Sequence, residues 1–260
     1  MSDQLSVSAV RERLNTRFIG QTHQHFALTN STQDIVTEAG RAGAQEGLIV
    51  TADEQSRGRG RFRRSWVAPP GASLLVSVLL RPGPERLPMM SMIAALASAR
   101  AIRRVVPELA PEVKWPNDVL LKGRKACGIL VEVADSGNDA SKYAVVGIGI
   151  NVNWDTASIP EIAEASTSLA NETGRAVSRV DLLCALLEEM ERLYLQAQGG
   201  EDVFTQWRSA LVTLGRQVRV AGSDSAFQGV AIDVEPSGAL VVMDDANQRR
   251  IVHAGDVTLS

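Results

Sequence analysis

Residues Ser73–Leu80 read SLLVSVLL, a run of strand length with no regular polar alternation. Such a run is a buried-strand candidate, so the chain must supply cover for it. Other strand-length runs lie at His25–Thr29, Leu48–Ala52, Val113–Trp115, Val119–Leu121, Cys127–Ala134 and Tyr143–Asn151. Helical spacing marks Ser6–Phe18, Gln33–Ala44, Pro88–Val106, Ser178–Gln196 and Glu201–Leu211. Ser178 and Asp181 have capping-box spacing, and Lys122-Gly123-Arg124 predicts a hairpin turn. Helices mixed with hairpins predict an α/β (α+β) unit, a sheet under helical cover and not an alternating parallel array.

After Leu214 the texture changes. Short runs at Arg216–Ala221, Phe227–Val234, Ala239–Met243, Arg249–His253 and Val257–Leu259 are divided by Gly222, Pro236-Ser237-Gly238, Asp244-Asp245 and Gly255-Asp256. They predict a small β-barrel. The expected units are residues 1–213 and 214–260, a division that a chain of 260 residues accommodates.

Apolar residues make up 45% of the chain and charged ones 22%, which excludes wholesale disorder. The formal net charge of −3 argues against a protein that coats nucleic acid. Cys127 and Cys184 stand far apart, so a disulfide scaffold and a cysteine-rich zinc site are both excluded. No run is long and uninterrupted enough to span a bilayer, and the start lacks the order of a signal peptide. These features predict a soluble cytoplasmic protein with no membrane partner.

Between two strand runs lies Gln55-Ser56-Arg57-Gly58-Arg59-Gly60-Arg61-Phe62-Arg63-Arg64-Ser65-Trp66, with five arginines in an acidic chain. Guanidinium forks suit phosphate and carboxylate, Gly58 and Gly60 permit close backbone approach, and Trp66 offers a ring face. A solvated surface loop and an RG-type RNA-binding segment remain open readings of this stretch alone. It matches neither a Walker loop nor a dinucleotide fingerprint. A second concentration of polar groups is Lys114-Trp115-Pro116-Asn117-Asp118, followed across the hairpin by Lys125 and Gly128. Asn117 suits an adenine edge, and Asp118 can accept from an amine or hold a metal. A hairpin with a polar tip is the plain alternative. In Gly147-Ile148-Gly149-Ile150-Asn151, glycines inside a strand indicate close packing or a ligand lying on the sheet, and Asn151 is another purine-compatible amide. A metal role for His23 and His25 lacks companion ligands.

Taken together, GRGRFRRSW (58–66), KWPNDVLLKGRKACGILVE (114–132) and GIGINVN (147–153), with Ser31-Thr32 before the first catalytic helix, resemble the biotin–protein ligase family in order and spacing. The resemblance covers roughly residues 25–170 and extends to the C-terminal β segment. It implies a catalytic domain similar to class II aminoacyl-tRNA synthetases, with a mixed or antiparallel sheet, plus an SH3-like C-terminal barrel. The activity implied is ATP-dependent: biotin and MgATP give biotinyl-5′-AMP, and a lysine of a biotin carboxyl carrier protein domain, from acetyl-CoA carboxylase or a related carboxylase, takes the biotinyl group.

The same resemblance implies roles for residues. Ser31, Thr32, Gln55, Gly58 and Gly128 line or bond the biotin site, with Arg59 and Lys125 at the carboxylate and α-phosphate. Arg61, Arg64, Trp66, Asn117 and Asn151 join Lys125 around the adenylate. Lys125, Arg59 and Asp118 form the expected catalytic set. Asp118 is the candidate to orient the acceptor lysine or to hold Mg2+ brought with ATP. The loop 57–65 is expected to be mobile when empty and to close over the adenylate. Gln33 departs from the asparagine usual in the family and is left out of the site. The stretch before His25 is too short for a winged helix-turn-helix, so no DNA partner is expected. Monomers and homodimers are both compatible with the resemblance. A lipoate or octanoate ligase-like acyltransferase is the alternative within this fold, and an RNA-binding module the alternative from another class.

Overall fold

A computed structural model describes residues 5–135, 142–221 and 226–259. The first residues of the chain, read above for an address signal, and the expected divider Gly222 lie outside the described residues. Seven strands, β1 (His23–Thr29), β2 (Ile49–Gln55), β3 (Ser73–Leu80), β4 (Glu112–Lys114), β5 (Asp118–Leu121), β6 (Arg124–Asp135) and β7 (Lys142–Asn151), form one mixed sheet. Its order is β1-β2-β3-β7-β6-β5-β4. Only β1 and β2 run parallel; the other neighbours pair antiparallel. The β5–β6 hairpin turns at Lys122 and Gly123, both with positive φ (49° and 78°). Glycine adopts that conformation without steric cost.

Covering β3 is the central packing task, because all eight of its residues are buried. Leu74, Val76, Val78 and Leu80 face the main core with helices α3 (Met89–Val105) and α5 (Arg179–Gln198). Leu79 faces the other way, onto a smaller core with Val36 of α2 (Thr32–Arg41) and with Val50, Tyr143 and Val145. Leu75 and Ser77, on that second face, line a cavity beneath the arginine-rich loop. Period-two alternation thus assigns one polar side chain of a buried strand, Ser77, to the cavity.

α1 (Val7–Arg11) stops well short of Phe18, where helical spacing ran on. The main-chain N–H groups of Arg17, Phe18 and Ile19 instead donate to the carboxylate of Glu191 on α5, at 2.6, 2.8 and 2.9 Å. A side chain thereby satisfies donors that a helix would have used. α5 begins at its expected cap, with Ser178 accepting from the Asp181 N–H. α4 (Leu169–Thr173) is too short to show periodicity in the sequence. α6 (Val203–Ala210) is capped by Asp202.

The C-terminal strands β8 (Gln217–Ala221), β9 (Ala226–Val234), β10 (Leu240–Asp244), β11 (Arg249–Val252) and β12 (Asp256–Leu259) form a five-stranded antiparallel sheet, β11-β10-β9-β8-β12. Val218, Val220, Ala231, Leu240, Val242 and Val257 on its inner face belong to the main core. Trp115, just after β4, ties the sheets together: its main-chain N–H donates to Thr213 Oγ1, and its indole donates to Gly238 O at 2.8 Å. Cys127 and Cys184 are buried free thiols. Among the described residues, no helix is long and apolar enough to cross a membrane.

Two stability predictions follow from these contacts. Replacing Glu191 with alanine leaves its three N–H partners, one of them fully buried, without an acceptor, and should cost about 2–3 kcal/mol by urea unfolding. His23 and His25 share Thr51 Oγ1, at 2.7 and 2.9 Å. Burial, and then the charge of His25, push the His23 imidazole down to about 4. The unfolded chain therefore takes up this proton first as pH falls. The contribution is full above the ordinary value near 6.5 and is lost as pH drops toward 4. Unfolding at pH 5 against pH 7 should show a loss of about 2 kcal/mol that His23→Gln removes.

Candidate functional site

Strand alternation and two glycines open a recess in the sheet. Gly128 of β6 and Gly149 of β7 are direct cross-strand partners. A Cβ at Gly149 would stand 2.6 Å from Trp66 Cε2, and one at Gly128 would stand 2.7 Å from Trp66 Cζ3. The indole of Trp66 therefore lies against a floor that no other residue type permits. The cavity beside it has a volume of about 160 Å³.

One end of the cavity is polar and uncharged. Ser31 stands at the N-cap position of α2 without a side-chain capping bond, and Thr32 opens the helix. The Thr32 N–H donates to Gln55 Oε1 at 2.7 Å, and the Thr32 hydroxyl lies 2.8 Å from Ser77 Oγ. Ser77 in turn donates to Gln33 Oε1 at 2.9 Å. Gln33 Nε2 donates to Glu132 Oε2 at 3.1 Å.

The other end is charged. Lys125 Nζ stands 2.6 Å from Asp118 Oδ1 and 5.8 Å from the centre of the Trp66 ring. Arg61 donates to Asn117 Oδ1 at 3.3 Å and to Gly255 O at 3.4 Å. Its burial pushes its pKa down, against the raising influence of Asp256 and Asp118. Lys114, partner of Asp118 across the β4–β5 pair, is likewise lowered, chiefly by burial. Arg59 stands beside the neutral end instead, clamped between Glu132 Oε2, which Gln33 also reaches, at 2.8 Å and Asp34 Oδ1 at 3.0 Å. Arg64 pairs with Asp256 of the C-terminal sheet. Within the loop, Gly60 N–H donates to Arg64 O and Trp66 N–H to Gly58 O. Two of the loop's like charges, Arg59 and Arg64, are thus received by carboxylates from three places, and Arg61 by neutral oxygens.

The structure brings Ser31, Thr32, Gln55, Arg59, Arg61, Arg64, Trp66, Asn117, Asp118, Lys125 and Gly128 around this one cavity. It leaves two expected residues off the lining. Asn151 is buried at the end of β7, where its amide donates to Thr167 O at 3.1 Å. Gly58 packs behind the loop, where a Cβ would meet Trp66 O at 2.4 Å. Gln33, set aside in the sequence, is a wall of the cavity, as are Ser77 and Asp256. A serine inside SLLVSVLL was the available signal for Ser77. Asp256 had none, because it arrives from another sheet.

The arrangement presents neutral donors and acceptors at one end and cations at the other, which suits a ligand with a polar ring and an anionic tail. Known proteins point the same way. The biotin/lipoate A/B protein ligase family description matches residues 25–151, and the biotin protein ligase C-terminal domain description matches residues 213–260. The chain is 30% identical to the bifunctional ligase/repressor BirA of Bacillus subtilis, over 98% of this chain and 79% of that protein. It is 33% identical to a biotin–[acetyl-CoA-carboxylase] ligase of Paracoccus denitrificans, over 80% of this chain and 88% of that one. Its fold superposes on the biotin protein ligase of Aquifex aeolicus in complex with biotin and ATP with a TM-score of 0.78 at 25% identity, covering 92% and 99% of the two chains.

In the Arg64–Asp256 pair the arginine is largely exposed and the aspartate partly so. Breaking it with Asp256→Ala should raise trypsin cleavage within residues 57–64 about two- to five-fold, the range open to an exposed ion pair. An unchanged cleavage rate would mean that Arg59 and Arg61 anchor the loop unaided.

Proposed function

The chain belongs to the biotin–protein ligase family, and from that premise we propose that it joins biotin to a carrier lysine through an adenylate. It is an ATP-dependent ligase. In the first step a biotin carboxylate oxygen attacks the α-phosphorus of ATP, and the bond to pyrophosphate breaks. In the second, an amine attacks the acyl carbon of biotinyl-5′-AMP, an amide forms, the amine sheds a proton and AMP departs.

The observation that carries this reading is the two-ended cavity. Ser31, Thr32 and Gln55 are assigned to the ureido ring, and Gly128 to close backbone approach. Arg59, Arg61, Arg64 and Lys125 are assigned to the carboxylate and phosphates. Two anions must meet in the first step, and fixed cations in a water-poor recess reduce their repulsion far more than free cations in water. Trp66 and Asn117 are assigned to the adenylate. Asp118 pairs with Lys125 before reaction, and as a carboxylate it can receive the proton of an incoming ammonium.

Magnesium enters with the nucleotide as its chelate. Among the described residues, no group of three or more His, Cys, Asp or Glu side chains could hold a metal ion. A magnesium ion brought by the nucleotide would be held chiefly by phosphates and water, with Asp118 the candidate carboxylate from the protein. The acceptor is a biotin carboxyl carrier domain of acetyl-CoA carboxylase or a related carboxylase. Residues 1–213 form the catalytic unit and 214–260 the C-terminal unit. The enzyme works in the cytoplasm, where ATP is supplied and the thiols of Cys127 and Cys184 stay reduced.

The test is isotope exchange between pyrophosphate and ATP, run with biotin against lipoate, followed by intact-mass measurement of a carrier domain. Biotin should support exchange and lipoate should not. Lys125→Ala should slow biotin-dependent exchange by about 10²–10³, the scale of one preorganised electrostatic contact. Exchange at the wild-type rate would remove Lys125 from the reaction.

A further inference from the structure

Glu132 is shared by two parts of the cavity. Its Oε2 accepts from Gln33 Nε2 at 3.1 Å and from Arg59 Nη2 at 2.8 Å. Gln33 and Arg59 meet there and are linked a second way through the chain. Asp34, the residue after Gln33 on α2, holds the same Arg59 nitrogen at 3.0 Å. On the other side, Gln33 Oε1 accepts from Ser77, and Ser77 lies 2.8 Å from the Thr32 hydroxyl.

The Thr32 and Ser77 hydroxyls carry one proton each. The Thr32 hydroxyl stands 3.1 Å from Gln55 Oε1 as well as 2.8 Å from Ser77 Oγ, and Gln55 Oε1 also accepts the Thr32 N–H at 2.7 Å. Ser77 gives its proton to Gln33 Oε1, and the Gln33 amide donates to Glu132 Oε2 at 3.1 Å and to the carbonyls of Val145 and Leu130 at 3.3 and 3.4 Å. Thr32, Ser77, Gln33 and Glu132 are thus joined in series, and Thr32 has one proton to share between Gln55 and Ser77.

The backbone makes room for the link. Gln33 is 3% exposed, and a Cβ at Gly147 would stand 2.7 Å from its Oε1. The first glycine of the Gly147/Gly149 pair therefore serves Gln33, as the second serves Trp66.

We propose that Gln33 is a positioning residue which, through Glu132, couples the seating of a ligand ring against Thr32 to the seating of Arg59 and its loop. The relay rests on the reading of this cavity as the biotin site. A ring that fixes the Thr32 hydroxyl fixes Ser77 and Gln33, and these hold Glu132 where Arg59 finds it. Loop closure is thereby tied to the correct ring, and the anionic end is assembled around a ligand already in place. A glutamine spans Ser77 and Glu132 together. The shorter asparagine lacks one methylene of that reach.

A double-mutant cycle on biotin affinity tests the relay, read by calorimetric titration of the full chain. Gln33→Leu and Arg59→Ala should each weaken biotin about ten-fold, as loss of a hydrogen bond to a charged group does. The double variant should lose at least three-fold less than the product of the two. In a Glu132→Gln background the two losses should become multiplicative, which a merely structural Gln33 would not bring about. Gly147→Ala, which crowds Gln33 without changing it, should show the same coupling to Arg59, and it carries the test if Gln33→Leu fails to fold. Multiplicative losses in the natural background, with the unsubstituted chain binding biotin, overturn the relay and leave the ligase reading standing. Failure of the folded, unsubstituted chain to bind biotin overturns that reading and the relay with it.

Discussion

β3 is buried along its whole length, yet helices close only one of its faces from end to end. On the other face α2 covers the part near Leu79, and the part near Leu75 and Ser77 is left to a loop of arginines and one tryptophan. A sheet face that carries an apolar side chain such as Leu75 needs cover, so the loop is a structural lid as well as a source of charge. Gly128 and Gly149 make this cover possible by letting the Trp66 ring lie directly on the strands. The remaining volume beside that ring is the cavity, and strand parity places Ser77, while α2 and the arginine-rich loop place most of the other polar groups around it.

Charge is arranged on the same plan. Guanidinium groups crowded into one loop repel one another and would splay it. Asp34 and Glu132 take up Arg59, Asn117 and Gly255 take up Arg61, and Asp256 takes up Arg64. These partners come from α2, from β6, from the turn between β4 and β5 and from the entry of β12. The C-terminal sheet therefore shares in shaping the loop, besides contributing valines to the main core and a carbonyl to Trp115. Each exposed pair is weak taken singly. Several together hold the cations near the recess while leaving them able to exchange one anion for another, which is what a site that admits carboxylate and phosphate in turn requires.

Much of this was legible in the residues. β3, the β5–β6 hairpin, α3 and α5 stand where hydrophobic period and turn residues put them, since burial on a defined face imposes those periods. The arginine loop, Lys125 and the glycines in β7 signalled a site because such residues are costly in a strand or core and need a reason to be there. α1 was overestimated because the Glu191 carboxylate, far along the chain, competes for the donors of residues 17–19. A purine-compatible amide such as Asn151 looks the same in the sequence whether it faces a cavity or, as here, donates to Thr167 O at the end of its strand.

The positions of most strands and helices along the chain and the fold class were thus determined by the sequence alone, because periodicity and turn chemistry are local. Only the tertiary structure decided that Gln33 belongs to the cavity, that Glu132 joins it to Arg59, and that Asp256 of the last strand reaches Arg64. Such partners are separated by up to most of the chain's length, and a local pattern carries no record of what lies opposite a side chain once the sheets have packed.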